Sequence, residues 1–198
     1  MRFFFVPLSA AIASASLSAA VAPELPVPRG EGRARKKSAE RGAPGVAEVI
    51  ATLAQTHTGE RVIIGASEPT DARFAELLAD RATGQSSPMN PALLPLLRDL
   101  GRAHPGARID LVSGFRSPKL NEMLRKKGHH VASHSQHTLG HAVDFRVVIE
   151  GEPQGMNPPA VERELRAMGW RGGIGVYLKR TDWFVHADVG PLRRWNGQ

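Results

Sequence analysis

The sequence predicts a single α+β domain, and three observations lead there. A chain of 198 residues is long enough for one domain with a full core and too short for two ample ones. Segments with helical spacing of apolar residues interleave with short β-branched runs, but without the regular period of a parallel βαβ sheet. Hydrophobic residues at 41% and charged residues at 23% are ordinary for a globular protein, while 20 Gly and 15 Pro call for many turns.

Taken from the N-terminus, Arg2 followed by the uncharged, Ala-rich "FFFVPLSAAIASASLSAAVA" reads as an export signal over residues 1–22, with cleavage after Ala20 or Ala22. Pro7 and the small residues argue against a membrane anchor, which needs about 20 strongly apolar residues. No later segment is apolar enough to span, so no stable membrane span is expected after signal cleavage. Residues 23–46 read as a basic flexible linker. The formal charge is +7, and part of that excess lies in "RGEGRARKKSAERG", Arg29 to Gly42, which has no hydrophobic periodicity. Such a run is either a tether attracted to anionic envelope polymers or a plain solvated spacer. Nucleic acid is not a fitting partner for an exported chain. Residues 47–198 are left for the folded domain.

Within that domain, "GVAEVIATLAQTHTGERVIIG" predicts a short helix-like or mixed segment and then a strand at Arg61 to Ile64. "DARFAELLADRAT" predicts a helix capped by Asp71, and "NPALLPLLRDLGRAHPG" the clearest helix, with Asn90 as cap, Pro91 in the first turn and Gly106 near its end. "ARIDLVSGF" reads as a buried strand, "SPKLNEMLRKKG" as a helix starting at Ser117 and Pro118. "HAVDFRVVI" gives a second strand, "PPAVERELRAMG" a helix closing at Gly169, and "WFVHADV" a third strand.

The absence of cysteine removes disulfides, thiolate ligands and a cysteine nucleophile, so any metal must be held by His, Asp or Glu. Strand alternation puts Val143, Phe145, Val147 and Ile149 on one side of their strand and Asp144 on the other. His137 lies just upstream, and Gly140 permits a tight turn that folds its imidazole back toward that carboxylate. Taken alone, this pattern fits either a metal site or a polar turn before a strand. In "DWFVHADVG", Asp182, Phe184, His186 and Asp188 share a face, so His186 completes a His, Asp, His set, and three protein ligands plus water are what a catalytic zinc requires.

"SQHTLGHAVD" resembles the Ser-x-His-x-x-Gly-x-Ala-x-Asp signature of the D-Ala-D-Ala metallopeptidases, matching at Ser135, His137, Gly140, Ala142 and Asp144. The superfamily also holds lysostaphin-type enzymes and the hedgehog domain. Upstream, "LVSGFRSPKLN" is similar to the family's strand and Arg-bearing turn. Downstream, "GGIGVYLKRTDWFVHADVGPLRRW" resembles the ending of the murein endopeptidase branch, and the likeness runs from about Leu53 to Trp195. It implies a small, mainly antiparallel sheet with flanking helices, as in the hedgehog and DD-peptidase domains. It further implies Zn2+ held by His137, Asp144 and His186, with Arg116 binding substrate and oxyanion and Ser135 near the substrate.

Many relatives carry a glutamate base three residues before the last zinc histidine; here Trp183 stands there. Asp188, on the His186 face, is then the expected catalytic base, with a role orienting His186 as the other reading. His134 and His141 flank the motif as further proton carriers or as exposed turn residues. Trp170, Tyr177, Trp183 and Trp195 suit either a substrate groove or the core. The implied function is an exported zinc metallopeptidase, periplasmic or secreted, that hydrolyses peptide crosslinks between peptidoglycan stem peptides. The alternatives are a D-Ala-D-Ala carboxypeptidase or a non-catalytic zinc-containing peptidoglycan-binding module. The Gly-rich "GGIGVY" is expected to leave room for an extended chain on both sides of the zinc.

Overall fold

The computed structural model describes residues 48–128 and 132–197; the expected signal and linker lie outside the described residues. The domain is α+β, as the sequence predicts. Seven strands form one open sheet in the order β2-β1-β3-β4-β6-β5-β7: β1 (Ala51–Gln55), β2 (Arg61–Ile64), β3 (Arg108–Ser113), β4 (Ala142–Val148), β5 (Gly173–Lys179), β6 (Asp182–Asp188) and β7 (Arg193–Asn196). The pairings are antiparallel except β1 with β3 and β5 with β7.

Three elements depart from the sequence expectation. The segment expected as helix-like or mixed is β1, seated between β2 and β3, and Ala51 and Leu53 are buried. Ala, Leu and Gln are good helix formers, but the packing gained by seating the segment between two strands outweighs that preference. The other two, β5 and β7, carry little of the strand signal. Gly173 and Gly175 interrupt the apolar run of β5, and β7 is the short polar "RRWN".

Helix α1 (Asp71–Leu77) starts one residue earlier than expected, because Thr70 is its cap and its hydroxyl accepts the Arg73 N–H at 3.2 Å. The expected cap of α2 (Leu93–Ala103), Asn90, closes a turn onto the Ala92 N–H instead. Ser117 does cap α3 (Pro118–Lys126), and Gly169 follows α4 (Pro158–Ala167) with φ +90°.

One sheet face is apolar. Val143, Phe145 and Val147 of β4, Val185 and Ala187 of β6, and Ile174 and Val176 of β5 all join the core. The helical residues Leu94, Leu97, Leu100, Val161 and Leu165 pack into that core, with α2 lying on β1 and β3 and α4 on β5 and β6. Covering that face fixes the strand register, because a slip of one residue would bury every outward side chain. The opposite face is thereby free to display polar groups.

Candidate metal centre

The cross-strand register aligns one row on the polar face. Ser113 of β3 pairs with Asp144 of β4, Asp144 with His186 of β6, His186 with Gly175 of β5, and Gly175 with Trp195 of β7. Neighbouring residues in such a row stand about 5 Å apart, which brings Asp144 and His186 into direct contact. His137 arrives from a 3-10 turn, Gln136–Leu139, that ends at Gly140 in the left-handed region with φ +69°. A side chain at Gly140 would also meet the Pro88 carbonyl oxygen at 2.4 Å, so only glycine suits this turn.

Three donor atoms converge there. Asp144 Oδ1 lies 2.8 Å from His186 Nδ1 and 3.3 Å from His137 Nε2, and the two nitrogens are 3.1 Å apart. Each ring is oriented by its other nitrogen. His137 Nδ1–H donates to the Gly114 carbonyl at 2.7 Å, and His186 Nε2–H donates to Asp188 Oδ2 at 2.9 Å. Both inward nitrogens are thus the ones available for a cation, the arrangement by which outer partners fix the tautomer of a metal-binding histidine.

The electrostatics point the same way. Burial opposes a charge on Asp144, but His137 and His186 outweigh it and hold the carboxyl well below the usual range. Burial likewise lowers the His186 pKa, yet hydrogen bonds to Asp144 and Asp188 dominate and raise it to about 9. His137 is lowered by burial, which keeps its imidazole neutral. A buried carboxylate with two imidazoles is a place that stabilises positive charge.

The cluster opens onto a cleft of about 880 Å3 that Arg116, Ser135, His134, Tyr177 and Trp195 also line. The Arg116 backbone N–H donates to the His137 carbonyl at 3.1 Å, which ties the Arg-bearing turn to the cluster's turn. Arg116 is 8% exposed, and its guanidinium reaches Asn121 Oδ1 at 3.4 Å. Burial lowers the Arg116 pKa, Asp144 opposes that shift, and the nearby charge of Arg81 adds to it.

The family profile described as "Peptidoglycan L,D-endopeptidase MepK" matches residues 50–195. The chain belongs to this M15 peptidase family. A probable peptidoglycan L,D-endopeptidase MepK from Haemophilus influenzae is 31% identical over 159 residues, 75% of this chain and 79% of its own. The peptidoglycan L,D-endopeptidases MepK of Escherichia coli K12 and Shigella flexneri are each 30% identical over 153 residues, 74% of this chain and 79% of theirs. No solved structure gives a significant match. M15 peptidases are metal-dependent, and two imidazole nitrogens with one carboxylate oxygen suit a borderline cation.

Asp188 is bonded to His186, and two of the four aromatic residues line the cleft. Asp188 is 0% exposed, and besides His186 it accepts from the Gly190 N–H at 2.8 Å and from Arg193 Nη2 at 2.7 Å. Its carboxylate faces the nitrogen of His186 opposite the one that meets Asp144. Tyr177 and Trp195 line the cleft. Trp170 packs against the core, and Trp183 donates to the Gly155 carbonyl at 3.1 Å. His134 lines the cleft; His141 does not.

The space over the β5 glycines is filled, not left for substrate. A Cβ at Gly175 would stand 2.6 Å from the Trp195 indole, and one at Gly173 would stand 2.5 Å from Asp188 Oδ2. Trp195 lies against the His186 ring, centroids 5.1 Å apart, and the Arg193 guanidinium lies 5.0 Å over the indole. Sequence reasoning missed Arg193 entirely. Its signal was present in "HADVGPLRRW", where a Gly-Pro turn brings the chain back alongside β5 with Arg193 in reach of Asp188.

Proposed function

We propose that the chain is an exported, zinc-dependent peptidoglycan endopeptidase that hydrolyses an L,D peptide bond in the crosslinks between stem peptides. One observation carries the reading: His137, Asp144 and His186 converge in an open cleft, in a chain whose family is described as peptidoglycan L,D-endopeptidases. That description supports a crosslink over terminal D-Ala-D-Ala. Export rests on residues 1–22, and a peptidoglycan substrate calls for the periplasm or another envelope location. Mass spectrometry of the protein from its host envelope should find a new N-terminus after Ala20 or Ala22, whereas an intact Met1 would refute processing.

A zinc ion bound by the three donors supplies an acidified water and an electrophile for the scissile carbonyl. The rest belongs to the chain. Gly114 and Asp188 hold the two imidazoles in the tautomers that point inward. Arg116 presents guanidinium donors to the oxyanion that develops on the carbonyl, a role in which burial strengthens each hydrogen bond. Ser135 lines the cleft beside the substrate. Asp188 is a positioning residue, and its bond to Arg193 keeps its carboxylate turned to His186. His134, exposed on the cleft wall, takes the proton-accepting role in its place.

Three defined muropeptides test this reading with zinc-loaded mature protein: an L,D-crosslinked dimer, a D,D-crosslinked dimer and a pentapeptide monomer. The L,D dimer should resolve into two monomers while the other two remain whole. Loss of D-Ala from the monomer with both dimers intact would establish the carboxypeptidase alternative. Binding of all three without cleavage would establish the non-catalytic module.

A further inference from the structure

We infer that Arg81 forms, with Arg116, a subsite that binds a free carboxylate of the peptide substrate. The inference rests on the peptidoglycan endopeptidase reading for the class of substrate.

Arg81 follows α1 in a turn that one buried carboxylate holds in place. Asp80, 1% exposed, accepts the Ala82 N–H at 2.7 Å and the Thr83 N–H at 3.0 Å on Oδ1, and the Ser117 N–H at 2.5 Å on Oδ2. Burial alone would raise the Asp80 pKa, but the Ser117 hydroxyl and those N–H donors outweigh burial and lower it, so the carboxyl stays ionised. The same side chain therefore pins the turn that contains Arg81 and the turn that contains Arg116. The Phe115 N–H, donating to the Leu78 carbonyl at 2.8 Å, adds a second stitch between them.

Both arginines line the cleft that holds His137, Asp144 and His186. Arg81 makes no ion pair or side-chain hydrogen bond among the described residues, and the guanidinium of Arg116 has the single long contact to Asn121. Asp80, whose two oxygens accept backbone N–H donors, forms an ion pair with neither guanidinium. Two cations carried on turns that are stitched together line one cleft, so an anion between them is stabilising. A carboxylate suits the place, since each guanidinium offers paired donors to its oxygens.

Two sources on a stem peptide supply that group: the C-terminal carboxylate and the side-chain carboxylate of a diacidic residue. Calorimetry with the zinc-loaded mature protein tests the subsite, using an uncrosslinked tetrapeptide stem as free acid, as C-terminal amide and as side-chain amide. The wild type should bind the acid about tenfold more tightly than one of the two amides, which identifies the source. Arg81→Gln should bind that acid and amide alike, and Arg81→Lys should retain part of the preference. A wild type with no preference for the acid, including one that binds none of the three, overturns the subsite. So does an Arg81→Gln variant that keeps the full preference. Crosslinked dimers incubated in parallel keep the two readings separate: acid preference with uncut dimers sinks the endopeptidase reading alone, and cleavage without acid preference sinks the subsite alone.

Discussion

At the scale of single residues, His186 sets its Nδ1 toward Asp144 and its Nε2 toward Asp188. The spacing His-x-Asp revealed that Asp188 shares a face with His186, and strand alternation made that legible. Spacing could not reveal that Asp188 takes the outward nitrogen, because that depends on the ring's rotamer and on Arg193 across the turn. The two roles open to Asp188 differ in outcome. A positioning partner predicts that Asp188→Asn weakens zinc affinity about 10- to 100-fold, measured by competition with a chelator. A general base predicts unchanged zinc affinity and turnover lower by about 10²- to 10⁴-fold. The second pattern should belong to His134→Ala, whose side chain stands on the cleft wall and outside the donor set. If Asp188→Asn instead keeps zinc and loses turnover, the assignments of Asp188 and His134 must be exchanged.

At the scale of elements, β5 and β7 act as one support for the centre. The strands that carry Asp144 and His186 were legible because apolar residues recur at every second position in "HAVDFRVVI" and "DWFVHADV". The supporting strands were not, since β5 uses glycine where its neighbours need room, and β7 owes its pairing to β5 more than to its own residues. β1 was misjudged for a related reason: its Ala and Gln become strand residues only when β2 and β3 flank them. Gly175→Ala tests the support. The new Cβ would meet the indole at 2.6 to 2.8 Å, and Trp195 is only half-buried, so the ring can swing outward. The expected cost is then at the lower end of overpacking, about 1 kcal/mol by thermal melting, with a shift in tryptophan fluorescence. Unchanged fluorescence and stability would show that Trp195 does not rest on Gly175 in solution.

At the scale of the whole molecule, a single sheet separates packing from chemistry. Helices α2 and α4 cover one face, and the same register that buries Phe145 and Val185 there aligns Asp144 with His186 on the other. Fold class and the shared face of Asp144 and His186 were readable because both follow from this alternation, whereas His137 comes from the turn that Gly140 closes. The cleft's second arginine was not, because Arg81 and Arg116 are far apart in sequence and meet only through the buried carboxylate of Asp80. The central claim is that His137, Asp144 and His186 hold the zinc on which crosslink hydrolysis depends. The most direct measurement is to strip the mature protein with chelator, titrate zinc back, and follow both bound zinc and hydrolysis of an L,D-crosslinked dimer. The account predicts no hydrolysis without zinc, a linear rise that saturates at about one zinc per chain, and neither tight zinc nor hydrolysis in His186→Ala. Full hydrolysis by the stripped protein, or by His186→Ala, would contradict it.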